Sequence, residues 1–344
     1  MPSRKILCAA VALALALLAA SARAQSSEGQ YKVTQTLKIG GVGGWDYLTV
    51  DPQAKRLYVP RSTHTMILEA ETGKTIFDIP GQQRNHGVAI VPELNRGFIT
   101  DGKAGDVTVF DTNNFQMLGK VKAAEDADGI VYDPATKNTL ISCGDAAQLI
   151  VIPADIDLSS GQAAGTSIDL GGKPEFLAAD GGKAYVNLED KDQVAVVDVK
   201  AGKVIDRWPV APAGGAPVGM AIDRAKHQLF IGCRKPQKLI VMSAEDGKVI
   251  ADLPIGAGVD ATQFDDGYAL ASCRDGTLAV AHADADGKFQ VVQTVKTPPG
   301  ARTMGLDPTT HTLYLPTAEL TPATSPQGRP APKPDSFMIV VVKR

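Results

Sequence analysis

Ionisable residues recur along this chain about once per sequence repeat, at positions that a ring-shaped fold would bring together. The series is Asp46, His86, Asp128, Glu175, Val218, Asp260 and Arg302. An imidazole and carboxylates that converge on one point could hold a divalent cation, with oxygen ligands suiting calcium or magnesium and an added imidazole suiting zinc or manganese. Crowded carboxylates also raise one another's pKa and could supply a general acid or base. A third interpretation is a water-filled, polar mouth of a central channel, in which Arg302 neutralises its acidic neighbours.

The metal candidates within this series are the four acidic residues and the histidine. They are Asp46, His86, Asp128, Glu175 and Asp260. No metal-binding motif with fixed local spacing occurs in the chain, so the sequence alone does not decide whether a metal binds. A divalent metal cofactor therefore stays an open alternative.

Basic residues near the same positions suggest an anionic ligand. Arg61, Arg234 and Arg274 follow the second strands of their repeats, on the same side as the acidic series. Guanidinium groups suit carboxylate or phosphate, so we expect a small anionic ligand over the mouth, with a solvated charged rim as the alternative. Trp45 precedes Asp46 and could either stack on a ligand or fill the space between the first and last repeats.

A repeated strand pattern positions these residues. A turn that closes the first strand of each repeat falls at positions 51, 91, 133, 180, 223, 265 and 307, which lie 40 to 47 residues apart. Short β-type strings follow each turn, such as LYVP at 57–60 and AYVN at 184–187, and then apolar strings such as VTVFD at 107–111. Gly-Lys turns such as Gly73-Lys74 often precede a fourth strand.

Seven units of four strands at this period predict an all-β, seven-bladed β-propeller of antiparallel blades. One such sheet cannot bury both of its faces, whereas sheets stacked around an axis bury each other. The last unit ends after its third strand, at 338–342. The run at about 31–39 has the pattern of the missing fourth strand, so it is expected to complete blade seven and close the ring.

The strings at 57–60, 184–187 and 313–316, together with VxVxD at 107–111 and 194–198, resemble the YVTN motif. Over residues 31–344 the chain therefore resembles the YVTN-repeat (YncE-like) propellers. The resemblance implies an exported seven-bladed propeller and brings no catalytic residue with it. The Gly-His and Trp-Asp pairs of tryptophan-aspartate repeats are missing.

The cysteines at 143, 233 and 273 share one repeat position, at the ends of second strands. Strands within a sheet are spaced near 4.8 Å, so equivalent positions in adjacent blades should lie roughly 10 Å apart. A disulfide needs closer approach, and the three thiols are expected to be free packing residues. Soft-metal binding or nucleophilic chemistry is the alternative.

The first 24 residues have the pattern of a secretory signal peptide. Arg4 and Lys5 precede an apolar run, and Ala22-Arg23-Ala24 offers small residues for cleavage. The predicted mature domain is residues 25–344, with 32 basic and 38 acidic residues and a net charge of −6. That balance disfavours broad nucleic-acid binding. No later segment is apolar enough to cross a bilayer, so a periplasmic or secreted monomer is expected.

Residues 318–336 form a Pro-rich loop in blade seven that composition predicts to be extended. It could cover the mouth, dock a partner or be a tolerated insertion. The leading functional prediction is an exported propeller that binds a ligand or partner protein on its top face, meaning the face where the first strands begin. The alternatives are a metal-assisted lactonase or lyase on the axis and a non-catalytic scaffold for envelope proteins.

Overall fold

Each sequence repeat folds into one antiparallel four-stranded sheet, as predicted. The computed structural model describes residues 30–322 and 330–344. We number the blades in chain order and their strands outward from the axis. The first strands are Thr49–Asp51, Asn85–Val91, Ala127–Asp133, Pro174–Asp180, Pro217–Asp223, Val259–Asp265 and Gly305–Asp307. The second strands are Arg56–Pro60, Arg96–Asp101, Asn138–Cys143, Lys183–Leu188, Gln228–Arg234, Tyr268–Cys273 and Thr312–Thr317.

The outer two strands of each blade follow in sequence, except in blade seven. The third strands are His64–Glu69, Asp106–Asp111, Gln148–Pro153, Gln193–Asp198, Gln237–Ser243, Thr277–Ala283 and Met338–Lys343. The fourth strands are Thr75–Pro80, Met117–Lys122, Thr166–Asp169, Lys203–Pro209, Val249–Pro254 and Phe289–Lys296, with Lys32–Lys38 completing blade seven. Each first strand contacts the first strands of the two neighbouring blades, so the seven blades form a closed ring.

The core lies between the blades. Seven apolar clusters of the described residues each join one pair of neighbouring blades. In the second strand of blade one, Leu57 and Val59 pack toward blade seven and Tyr58 packs toward blade two. Alternate side chains point to opposite faces of a strand, and here both faces are buried. This explains why the inner strands are almost continuously apolar in sequence.

The repeated aspartates fix the turns after the first strands. Oδ1 of Asp51 accepts hydrogen bonds from the backbone N–H groups of Gln53 and Ala54, at 3.1 and 3.0 Å. Asp133, Asp223 and Asp307 make equivalent bonds in their own blades. An aspartate that bonds the backbone two residues ahead stabilises a tight turn, which is the physical reason for the repeated signal.

The N-terminal strand closes the ring, which confirms the predicted closure. Lys32–Lys38 pairs with Met338–Lys343, in a register that sets Val33 against Val342 and Leu37 against Ile339. The hydroxyl of Tyr31 also donates to Oδ2 of Asp265 in blade six at 2.5 Å. Blade seven is thus built from both ends of the described part of the chain.

Two stretches named in the sequence predictions fall partly or wholly outside the described residues. The predicted signal peptide, 1–24, lies outside them, as do residues 323–329 of the Pro-rich loop. The described ends of that loop form a short hairpin in which Leu320–Thr321 pairs with Ala331–Pro332. Over residues 30–322 and 330–344 the one helical segment is the 3-10 turn Pro92–Leu94, and no helix there is long and apolar enough to span a bilayer.

Candidate functional site

Five positions of the predicted series, those in blades two to six, lie at β-bulges on the first strands. In blades two to six, the pairing of the first strand with the second slips by one residue near its start. The bulged segments begin at His86, Asp128, Glu175, Val218 and Asp260. A bulge leaves a residue out of the ladder and redirects its side chain, so the same local irregularity recurs around the axis.

Polar residues near the ends of second strands hold these bulges. Thr100 Oγ1 donates to the backbone carbonyl of Asp128 at 2.7 Å, and Asn187 Nδ2 donates to that of Val218 at 2.9 Å. Ser272 Oγ makes the same kind of bond to the carbonyl of Arg302 at 2.5 Å. In each case the donor belongs to the preceding blade. In these three blades the last residue of the second-strand string therefore satisfies a backbone carbonyl of the next blade, whereas Pro60 and Pro316 end the strings of blades one and seven and have no donor.

His86 joins the acidic groups of blades one and three. Its Nδ1 atom lies 2.7 Å from Oδ2 of Asp46 and 3.6 Å from Oδ1 of Asp128. Arg84 Nε donates to its Nε2 at 3.1 Å, which requires the neutral ring with its proton on Nδ1. Burial lowers the pKa of His86, but the hydrogen bond to Asp46 and the nearby carboxylate charges outweigh it and raise the pKa to about 9. A ring protonated below about pH 9 offers Arg84 no acceptor at Nε2, so the hydrogen bond from Arg84 belongs to the neutral form, whereas the ion pair of Arg84 with Asp126 does not depend on the ring.

Two carboxyl groups at the mouth hold their protons unusually well. Burial raises the pKa of Asp128 from 3.8 to about 7; the charge of His86 opposes this shift, and the charges of Asp46, Asp126 and Asp260 add to it. Burial and the charges of Asp128 and Glu189 raise the pKa of Glu175 to about 9. Oδ1 of Asp128 is shielded from solvent without a hydrogen-bond partner among the described residues. Shifted carboxyl groups in a cleft are a feature of functional sites.

Asp260 is the acidic group that the mouth neutralises most completely. It is 5% exposed and pairs with both Arg234 and Arg302. Arg234 also bonds Glu189 Oε1 at 2.9 Å and the carbonyl of Val259 at 3.3 Å. Both carboxylate contacts of Arg302 use Nη1, so its Nε and Nη2 groups keep N–H donors for a ligand.

These residues surround a pocket of about 520 Å³ at the mouth of the channel. Its lining contains Asp46, Asp128, Glu175 and Asp260 together with Arg234, Arg274 and Arg302. Apart from Asp260, the carboxyl groups come from blades one, three and four, whereas the arginines come from blades five, six and seven. The pocket is therefore acidic on one side and basic on the other. His86 lies behind this wall, in contact with Asp46.

Tyr47, which lines the mouth pocket, belongs to an aromatic pair that was not predicted from the sequence. Tyr47 and Phe176 pack across the axis with ring centroids 4.6 Å apart, and the Tyr47 hydroxyl donates to the carbonyl of Asp260 at 3.2 Å. Each of these aromatics directly follows a series residue. The equivalent positions elsewhere are Gly87, Gly129, Gly219, Ala261 and Thr303. At this repeat position two blades carry a large aromatic residue and the other five carry a small residue. That contrast is the sequence signal that could have predicted the aromatic pair.

Arg61 does not take the place predicted for it. Instead of facing a ligand it is 1% exposed, and its guanidinium donates to the carbonyls of Gly40, Gly43 and Gly44 at 3.0–3.2 Å. The guanidinium also stacks 3.7 Å from the ring centre of Phe337. The glycine-rich segment before Trp45 offers unpaired carbonyls, and the arginine turns inward to satisfy them.

Trp45 lies between the first and last blades, which was one of the two alternatives. Its ring packs against Phe337 with centroids 5.9 Å apart. It also lines a smaller cavity beside the mouth pocket. Trp45 is therefore near the mouth but outside the main pocket.

The three cysteines are free and buried, as predicted. Burial is the largest cause that raises the pKa of each thiol to about 12. Thiolate chemistry needs a lowered pKa, so these positions serve packing.

Comparison with known proteins supports the architecture. No protein-family model matches the chain, and no curated protein matches it. Among solved structures, it is similar to a chain of Kuenenia stuttgartiensis hydrazine synthase, with 15% identity and a TM-score of 0.65 over 84% of this chain and 95% of that one. It is also similar to the WD40 repeats of RRP9, with 9% identity and a TM-score of 0.73 over 92% of this chain and 98% of that one. Because the sequence identities are this low, the structural likeness shows a shared fold, the β-propeller, and nothing finer.

Proposed function

We propose that this chain is an exported propeller of the YVTN-repeat type that binds a small anionic ligand in its mouth pocket. The observation that carries the proposal is the division of one pocket into an acidic side, which includes the bulge residues Asp128 and Glu175, and a basic side of three arginines. Loops from every blade meet on this face, so the fold suits ligand or protein binding there.

The two walls would contact different parts of the ligand. Arg302 keeps donors for a carboxylate or phosphate, and Arg274 lines the same wall. Opposite them, Glu175 carries its proton at neutral pH because its pKa is about 9. A protonated carboxyl group can donate and accept hydrogen bonds, so it suits a hydroxyl group. A hydroxyl group on the ligand could therefore bond Glu175 while its acidic group binds the arginines.

A thermal-shift titration tests this proposal. Sulfate, succinate and glucuronate should each be compared with sodium chloride at equal ionic strength. At least one should raise the unfolding temperature in a saturable way, because a ligand that binds only the folded state stabilises it. Arg302→Gln should abolish the shift, whereas Arg224→Gln, on the opposite face, should keep it. If none of the three anions exceeds the salt control, the proposal is wrong.

A metal-assisted lactonase or lyase is the second candidate, and one cluster favours it. Potential ligand atoms of Asp46, His86 and Asp128 all lie within 4.8 Å of one another. A cation there would satisfy Oδ1 of Asp128 and could polarise a carbonyl oxygen of a substrate. Arg84 weighs against this candidate, because a metal-bound imidazole usually donates its other N–H to an acceptor, and here Nε2 faces a guanidinium.

Elemental analysis decides between the two candidates. The enzyme candidate expects one equivalent of a divalent cation after dialysis against calcium, manganese or zinc, and its loss in His86→Ala. The matched control is His227→Asn, an exposed histidine on the opposite face. If the folded protein retains no cation after dialysis, the metal-assisted enzyme candidate is wrong, and anion binding stays as the proposed function.

The proposed localisation and partners rest on the sequence rather than on the pocket. The apolar N-terminal run supports export to the periplasm or beyond, and an envelope protein is the proposed alternative partner. For that scaffold alternative, deletion of residues 320–334 should abolish capture of the partner. If the deletion variant still captures the partner, the Pro-rich loop is not the docking site of that partner.

A further inference from the structure

A second cavity, beside the mouth pocket, is apolar on most of its sides. It measures about 290 Å³, and its apolar walls are Trp45, Pro299, Leu320, Pro330 and Pro332. Arg274, Arg302 and Pro330 line both this cavity and the mouth pocket. The two spaces therefore meet along an edge that carries two guanidinium groups. We call the smaller space the side cavity.

The tryptophan wall of the side cavity is held firmly. Trp45 packs on Phe337, which in turn stacks on the buried guanidinium of Arg61. Arg61 also donates to the carbonyls of Gly43 and Gly44, the two residues that precede Trp45. The backbone that presents the indole is thus fixed by hydrogen bonds, and the indole itself by ring packing.

The opposite wall is also tied to the body of the propeller. Lys333 N–H donates to the carbonyl of Glu319 at 2.7 Å, next to the hairpin that carries Leu320 and Pro332. The backbone N–H of Gly41 donates to Oδ1 of Asp335 at 2.7 Å. One hydrogen bond thus joins the loop that carries this wall to the glycine-rich segment that Arg61 organises.

We propose that the mouth pocket and side cavity together select an organic acid with an aromatic or branched apolar tail. The carboxylate would lie at Arg274 and Arg302, and the tail would enter the side cavity between Trp45 and Leu320. Ligand pockets are largely apolar with a few convergent polar groups, and this pair of cavities has that character at the point where they meet. An indole face and proline rings suit a flat hydrocarbon group. This inference rests on the proposed anion binding and specifies the class of anion.

Three related probes separate the contributions of charge and tail. Propionate has the carboxylate alone, 3-phenylpropanol has the tail alone, and 3-phenylpropionate has both. Burial of the phenyl ring should make the dissociation constant of 3-phenylpropionate at least about 10-fold lower than that of propionate. It should also be lower than that of 3-phenylpropanol, which lacks the charge that the arginines bind.

Tryptophan fluorescence gives a local readout. The chain has two tryptophans, and Trp208 packs on Tyr185 in blade four, away from the mouth. In a Trp208→Phe background the emission reports Trp45 alone. Saturation with 3-phenylpropionate should change that emission, whereas saturation with propionate should leave it nearly unchanged because propionate does not reach the side cavity.

Variants of the apolar wall complete the test. Leu320→Ser should weaken 3-phenylpropionate binding about three- to tenfold and leave propionate unaffected, and Leu94→Ser, an exposed leucine on the opposite face, should change neither. Equal affinities for propionate and 3-phenylpropionate, or no effect of Leu320→Ser, would overturn the tail inference while leaving anion binding intact. Failure of every anion, including sulfate, succinate and glucuronate, would overturn both.

Discussion

The Nδ1 atom of His86 lies 2.7 Å from Oδ2 of Asp46, across the joint between blades one and two. The two residues are 40 positions apart in sequence and occupy the same position of their repeats. Their contact links the protonation of the imidazole to the charge on the acidic wall of the mouth. The mouth is therefore a coupled set of titrating groups, and its charge depends on pH.

Anion binding should weaken as the pH rises from 6 to 9. Over this range Asp128 and Glu175 lose protons around their raised pKa values of about 7 and about 9, and His86 loses its positive charge around about 9. All three changes make the mouth more negative. Sulfate is the suitable probe because its own charge is constant, and its dissociation constant should rise several-fold. An affinity that is constant or increases with pH would contradict this charge distribution.

Asp128→Asn should stabilise the protein at pH 8 and have little effect at pH 4. The folded pKa of about 7 exceeds the usual 3.8, so the folded state holds this proton more tightly than the unfolded state does. The resulting stabilisation is complete below about pH 4 and is lost as the pH rises through 7. Urea unfolding at both pH values measures the effect, with exposed Asp145→Asn as control. Equal stabilisation at pH 4 and pH 8 would argue against a raised pKa.

Tyr31→Phe should weaken the closure of the ring. The tyrosine hydroxyl donates to Asp265, which is 2% exposed and also contacts Nδ1 of His311 at 2.7 Å. Loss of one hydrogen bond to a buried charged group costs about 1.5–3 kcal/mol. Chemical denaturation of the variant measures this cost. Tyr132→Phe, which removes an exposed hydroxyl contact to Glu93, should cost less than about 1 kcal/mol.

Arg61→Met should destabilise the fold even though its buried charge is removed. The substitution leaves the carbonyls of Gly40, Gly43 and Gly44 without their donor, and loss of such a buried network costs about 2–4 kcal/mol. Arg61→Lys should recover part of the loss, since an ammonium group cannot reach three carbonyls as a planar guanidinium does. Lys103→Met, at an exposed position, serves as the control. Stability equal to that of the unaltered chain would show that Arg61 is not an anchor.

The cysteines should not react in the folded state. Their thiols are buried, with pKa values raised to about 12, so the fraction of thiolate at pH 8 is very small. A chromogenic disulfide reagent should label none of these three thiols in native protein and all three in urea. Rapid labelling before unfolding would show that at least one of them is accessible.

The sequence was sufficient to predict the ring but not the roles of all residues at its mouth. Turn aspartates and alternating apolar strings are local signals, and their even spacing leads directly to seven blades. Because every blade repeats the same geometry, counting from Asp51 or Asp133 located Asp46 and Asp128 near the axis. Closure by the N-terminal strand followed from the missing strand of blade seven.

Arg61 shows where this reasoning fails. Its repeat position is correct, but the direction of a long side chain depends on local partners, here three carbonyls of a glycine-rich segment with no repeat equivalent. The pairing of Arg234 with Glu189 and of Arg84 with Asp126 was missed for the same reason. Contacts between loops of neighbouring blades depend on side-chain length and on competition among charges, which spacing does not encode.

Diffraction from a crystal soaked in 4-bromobenzoate shows where an aromatic acid binds, because anomalous scattering locates the bromine atom. The account predicts one dominant bromine peak in the side cavity, between Trp45 and Leu320, with the carboxylate in contact with Arg302 or Arg274. Bromine peaks only elsewhere on the surface, or no peak at a concentration that saturates binding in solution, would contradict it.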